Sequence, residues 1–166
     1  MKATHGTQLR HLIELLDGAV GAAYDEAGLD YRPRYTPVMR ALMASEPLTI
    51  GFIAEAAGIT QPAATQTVAL MIKDGLVSAE AGPADARQKL IRLTPKGRDM
   101  VAALQRCWQA TAIASASLEA DLPFSLTDVL ASAIVALEKK PFGARIREAR
   151  AQQEFNDATP SPRKPV

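Results

Sequence analysis

A chain of 166 residues, 48% apolar and 22% charged, has room for one domain with a real core and the balance of a soluble globular protein, which excludes disordered, fibrous and collagen-like classes. Its formal charge of +1 hides a local imbalance: residues 84–98 hold Arg87, Lys89, Arg92, Lys96 and Arg98 against Asp85 alone, whereas residues 111–138 hold four acids and no Lys or Arg. A near-neutral total therefore leaves a polyanion partner open at one face.

Leu9, Leu12, Ile13, Leu16 and Val20 recur at spacings of three and four, which predicts an amphipathic helix over residues 7 to about 26. GLDYRPRYT breaks it. Thr36-Pro37 reads as an N-cap followed by Pro at the first helical position, opening a shorter helix that Pro47 ends near SEP. Thr49 to Ala57 is a two-turn helix closed by Gly58, and Thr60 caps the next, with Pro62 in its first turn and Ala64, Val68, Met71 and Ile72 facing inward as far as Gly75. LVSAE and KLIRL, separated by AGPADARQ, read as a two-stranded ribbon. Thr94-Pro95 repeats the cap-and-Pro start for a long helix to about Leu118, and after DLPFS a further stripe runs from Leu126 to Leu137. The tail from about 154 to 166 is Pro-rich and polar, and is expected to be disordered.

The longest uncharged run, Ala56 to Ile72, contains Pro62, three Thr and two Gln, so it is unsuited to a bilayer. The N-terminal stretch lacks a small-residue cleavage site and carries charges inside its apolar stripe, which argues against a signal peptide and for the cytoplasm. A single Cys107 has no internal disulfide partner and falls on an apolar stripe beside Trp108, where it reads as a small buried hydrophobe. His5 and His11 lie outside any metal-ligand pattern, and neither a phosphate-binding Gly loop nor a nucleophile elbow is present. The reading is of a protein that is not an enzyme and needs neither metal nor cofactor.

The order helix, helix, short helix, Gly turn, helix, hairpin, long helix is that of a winged helix-turn-helix, mainly α with a two- to three-stranded β wing. The stretches IAEAAGITQPAATQTV, MIKDGLV and DARQKLIRLTPKG, in that order over residues 47–97, resemble the DNA-binding core of the MarR family of transcriptional regulators. That resemblance implies a homodimer whose N- and C-terminal helices interlock. It implies a single domain over residues 1–150, with the winged core at about 35–97 and dimerisation helices at about 7–27 and 95–150. The residues point the same way, because the helices at 7–26, 95–118 and 125–138 carry more apolar surface than a small wing domain can cover. Such a dimer would read a pseudo-palindrome with half-sites roughly 34–36 Å apart.

In the recognition helix the outward positions are Gln61, Pro62, Thr65, Gln66 and Ala69. Gln bridges adenine N6 and N7, Thr bonds either base edge, and Pro62 or Ala63 meets a thymine methyl. Thr60 and the free N–H groups behind it suit a phosphate, and Lys73 closes the helix with a cation. The resemblance makes Arg87 the wing-tip residue for the minor groove and Asp85 the acid that orients it. A narrow A·T groove favours a guanidinium over an ammonium. Lys89 and Arg92 are candidates for phosphate contact. This chain departs from the family in having Gln66 and Ala84 where relatives often have Arg, and no Lys or Arg between Glu55 and Lys73.

Relatives often take a small aromatic or phenolic effector. Tyr24, Tyr31, Tyr35, Met39 and Trp108 are the candidate lining, with His11 or Arg40 to meet a carboxylate. The function expected is a ligand-responsive repressor on double-stranded DNA; the rival is a dimeric winged-helix module that binds protein and not specific DNA.

Overall fold

The computed structural model describes residues 4–82 and 88–158, with side chains as far as residue 155. Thr4 opens the first helix, its Oγ1 accepting the N–H of Thr7 at 3.2 Å, and α1 runs His5–Glu26. Of this helix only Tyr24 is buried, while Leu9, Ile13, Leu15 and Leu16 stay exposed. Gly28, at φ 71°, turns the chain where a side chain would be strained.

The expected Thr36 cap is not made. A 3-10 turn, Pro33–Tyr35, precedes α2 (Thr36–Ala44), Tyr35 occupies the cap position without a side-chain bond, and the Thr36 hydroxyl lies 3.2 Å from that of Tyr24. Pro33 has already set the helical φ three residues earlier, so the chain enters α2 in helical conformation and needs no cap at Thr36. After a two-residue strand β1 (Leu48–Thr49), Thr49 caps α3 (Ile50–Ala57), which ends at left-handed Gly58. Thr60 caps α4 (Gln61–Lys73), and Gly75 at φ 72° closes it.

β2 (Val77–Ala81) and β3 (Lys89–Leu93) pair antiparallel with Val77 opposite Leu93 and Ala81 opposite Lys89. β1 adds to the other side of β3, giving the order β1-β3-β2. Alternation then places Ile91, Leu93 and Val77 in the core with Val38, Met39, Leu42, Ile53, Val68 and Met71 from the helices. Thr94 joins the two halves of the wing: its hydroxyl donates to the Gly75 carbonyl at 2.7 Å and accepts the N–H of Gly97 at 3.1 Å, capping α5 (Pro95–Asp99). The long helix expected from Pro95 is parted at Met100 into α5 and α6 (Val101–Ala120).

The chain divides into two compact units, residues 1–113 and 114–166, the boundary falling inside α6. In the second unit Glu119 accepts the N–H groups of Leu126 and Thr127 at 2.9 and 3.0 Å, and Ser125 caps Asp128, so α7 (Leu126–Lys139) starts with its orphan donors satisfied. The Thr127 hydroxyl and N–H hold the Glu119 carboxyl below its ordinary pKa. Arg145 donates to the carbonyls of Ala136 and Lys140 and closes α7 at its C-terminal end. α7 has no buried residue: Val129, Leu130, Ile134, Val135 and Leu137 are all exposed. α8 (Phe142–Ala158) carries helix four residues past the start of the expected tail, because Gln152, Gln153 and Glu154 are helix formers and no Pro occurs before Pro160.

Candidate nucleic-acid interface

The recognition helix presents a polar, uncharged face. Ala64, Thr67, Val68 and Met71 turn inward, leaving Gln61, Pro62, Thr65, Gln66 and Ala69 exposed and Ala63 half-buried. Thr60 Oγ1 accepts the Ala63 N–H at 3.4 Å and the Thr60 carbonyl accepts that of Ala64 at 2.9 Å, while Pro62 has no N–H, so of the first-turn donors expected to face a phosphate Gln61 N–H alone is left over among the described residues. The Thr65 hydroxyl donates back to the Gln61 carbonyl at 2.9 Å, so its lone pairs, not its proton, are what it offers a base edge. Lys73, exposed, ends the helix with its one cation.

The cations that follow differ in how free they are. Asp85 and Arg87 lie outside the described residues. Lys89 is exposed at the start of β3 and has no partner among the described residues. Arg92 is held 3.2 Å from Glu80, its diagonal neighbour across the ribbon, and so meets a phosphate only by sharing its charge. Arg98 pairs with Glu46 at 2.6 Å, and Lys96 donates to the Asp74 carbonyl at 2.9 Å. Both act within the fold. The diagonal Glu80–Arg92 pair was within reach of the hairpin register; the Glu46–Arg98 pair had no local signal.

Behind α4 the aromatic candidates come together. Tyr24, Tyr31 and Tyr35 stack edge to face, with ring centroids 5.0 and 5.7 Å apart, and the Trp108 indole N–H donates to the Tyr24 hydroxyl at 3.0 Å. Met39 is buried beside them in the same core. His11 is not part of this group; its imidazole is exposed on α1, 4.0 Å from Glu14. The Arg40 guanidinium sits 4.8 Å over the Trp108 ring. Cys107 is half-buried, its Sγ 4.0 Å from the Ala23 carbonyl. Among the described residues the buried Tyr31 hydroxyl makes no hydrogen bond of good geometry, and burial drives its pKa well above the usual phenol range against a smaller lowering by the Thr36 hydroxyl. Tyr35 is raised too, by burial and by its hydrogen bond to Asp74.

That last bond was not foreseen. Tyr35 donates to Asp74 Oδ2 at 2.7 Å, and Arg32 Nε lies 3.6 Å from the same oxygen. Asp74 stands at the C-cap of α4, so the end of the recognition helix is tied to the turn that leads into α2.

Residues 28–88 match the MarR family model. An HTH-type transcriptional regulator of Staphylococcus aureus is 32% identical over 63 residues, covering 38% of this chain and 43% of that protein, so the chain spans less than half the length of the curated relatives it matches. The M. tuberculosis transcriptional regulator MOSR, solved in complex with DNA, superimposes with a TM-score of 0.63 at 27% identity over 84% of this chain and 100% of that one. The repressor CouR, bound to a 23-mer DNA duplex, shares the fold at 20% identity, TM-score 0.57, over 81% and 92% of the two chains. PcaV of Streptomyces coelicolor, in complex with its natural ligand, does so at 22% identity, TM-score 0.54, over 84% and 99%. Residues 28–88, which hold the capped α4 and two of the three strands, thus match the MarR family of transcriptional regulators, and the chain as a whole is similar in fold to regulators of this kind solved with DNA.

Proposed function

We propose that the chain is a homodimeric, non-enzymatic repressor that occupies a pseudo-palindromic operator in double-stranded DNA in the cytoplasm. The observation that carries this reading is the free outward face of α4, where Gln61, Pro62, Thr65 and Gln66 are exposed and only Thr65 has its donor engaged within the fold. Gln61 and Gln66 suit adenine edges, Thr65 accepts from a base amino group, and Pro62 and Ala63 meet thymine methyls. Thr60 with the Gln61 N–H, Lys73 and Lys89 suit phosphates, and Arg87 with Asp85 remains the proposed minor-groove pair. With no Lys or Arg on the face itself, each half-site binds weakly. Each winged core, at about 35–97, meets DNA, and pairing two copies supplies the rest through dimerisation helices at about 7–27 and 95–150, whose apolar side chains on α1 and α7 stand exposed.

An aromatic or phenolic effector fits the same scheme. What supports it is the buried Tyr31 hydroxyl, without a well-formed hydrogen bond among the described residues, and the Arg40 guanidinium over Trp108. Such a ligand acts only if it binds one dimer form more tightly than the other. The second reading, a dimeric protein-binding module, draws on Arg92 and Arg98 being neutralised by Glu80 and Glu46.

Binding selection from random duplexes tests the proposal. Recovery of an inverted repeat whose affinity falls steeply with salt supports it. Recovery of no preferred duplex, together with salt-insensitive capture of one protein, replaces it with the module.

A further inference from the structure

We propose that Tyr35 is a positioning residue for DNA recognition, holding the C-terminal end of α4 through the Asp74 carboxylate; the inference rests on the DNA-binding reading above. An aspartate at a helix C-terminus faces the negative end of the helix dipole and is out of place there unless something neutralises it. Here three groups do so. The Tyr35 hydroxyl donates to Oδ2 at 2.7 Å, Arg32 Nε lies 3.6 Å from that oxygen, and the Lys96 ammonium takes the Asp74 main-chain carbonyl at 2.9 Å.

The donor is itself fixed. Tyr35 is fully buried, and its ring meets Tyr31 edge to face at 5.7 Å; Tyr31 meets Tyr24 in the same way at 5.0 Å, and Trp108 of α6 donates to the Tyr24 hydroxyl at 3.0 Å. Rings in edge-to-face packing have little freedom to slide, so the Tyr35 oxygen is set with reference to α1 and α6. The capped N-terminus of α4 and its buried stripe fix where the helix starts and which side faces out. The Tyr35–Asp74 bond fixes its far end. A small swing about Thr60 would leave the contacts at the helix start in place and carry Gln66 and Ala69 away from the base edges, with Lys73 at the moving end.

Tyr35→Phe keeps the ring stack and deletes the one donor. In the DNA-free protein, amide hydrogen exchange should accelerate about tenfold over Met71–Gly75, the factor one hydrogen bond to a charged group is worth, with protection in α2 and β3 unchanged. In binding, the ratio of affinities for the selected duplex and for a random-sequence duplex of equal length should fall about tenfold while the salt slope changes by no more than about one, since Lys73 is the single proposed phosphate contact at the freed end. Asp74→Asn, with Tyr35 intact, keeps an oxygen acceptor for the hydroxyl and should retain most of the wild-type exchange protection and affinity ratio. If Tyr35→Phe does not fold, Asp74→Ala, which deletes the acceptor at a partly exposed position, should give the same two changes. Unaltered exchange over Met71–Gly75 overturns the proposal, as does faster exchange with an unaltered affinity ratio. Wild-type protein that prefers no duplex overturns the DNA-binding reading instead, and the exchange measurement then decides by itself whether Tyr35 holds the helix end.

Discussion

Arg98 Nη2 lies 2.6 Å from Glu46 Oε1, joining α5 to the turn after α2 across 52 residues of sequence. The other carboxylate oxygen of Glu46 accepts the Leu93 N–H at 2.8 Å, so one side chain fastens the last residue of β3 and the helix that follows. Burial works to raise the Glu46 pKa, but the Leu93 N–H and the Arg98 guanidinium outweigh it and hold the carboxyl below the ordinary value of 4.5.

A depressed carboxylate pKa adds stability that is fully present above the unfolded value and is lost as pH falls through the folded one. Glu46→Gln should therefore cost about 1–3 kcal/mol near pH 7, the range for hydrogen bonds to a charged group. The gap between variant and wild type in urea melts should narrow once the pH drops below 4.5. An equal gap at all pH values would assign the loss to packing and not to the charge.

Gly97 has no room for a side chain. A Cβ there would stand 2.3 Å from the Leu76 carbonyl oxygen, which already accepts the Thr94 N–H at 3.0 Å. Gly97→Ala should destabilise by about 1–3 kcal/mol through forced separation of α5 from the start of β2. Gly18→Ala is the control: nothing lies within 4 Å of its added methyl on α1, and the change should stabilise by about 0.5–1 kcal/mol. Chemical melts of the two variants should move in opposite directions.

Lys89 and Arg92 sit three residues apart on β3 and should behave differently on DNA. Lys89→Ala removes a cation that has no partner among the described residues and should reduce the salt slope by about one. Arg92→Ala removes a charge already shared with Glu80 at 3.2 Å and should leave the slope nearly where it was. Titrations of a selected duplex at four or more salt concentrations separate the two, and equal slopes for both variants would mean that the Glu80 pair opens in the complex.

Much of this architecture is written in local signals. Thr60 and Thr94 each cap the helix expected of them, Thr49, expected as the first residue of its helix, caps α3 instead, and Gly58 and Gly75 take the left-handed conformations that end α3 and α4. The inward stripe Ala64, Val68 and Met71 follows from the 3.6-residue period alone. Thr36 misled because a cap depends on the conformation of the preceding residue, and Pro33 had already begun the turn. β1 escaped notice because two residues carry no period; pairing with Leu90 and Ile91 creates it. Glu46 and Asp74 were invisible for a different reason. Their partners lie 52 and 39 residues away, and only the closed fold brings them within reach.

No side chain of α7 is buried within a single chain, and its Val129, Ile134 and Val135 are each more than half exposed. If two copies cover that surface together, folding becomes a second-order event: the melting temperature climbs with protein concentration, and dilution alone unravels the complex. Promoter occupancy then tracks the square of chain number at low copy, so that gene dosage by itself can throw the switch sharply, before any small molecule takes part.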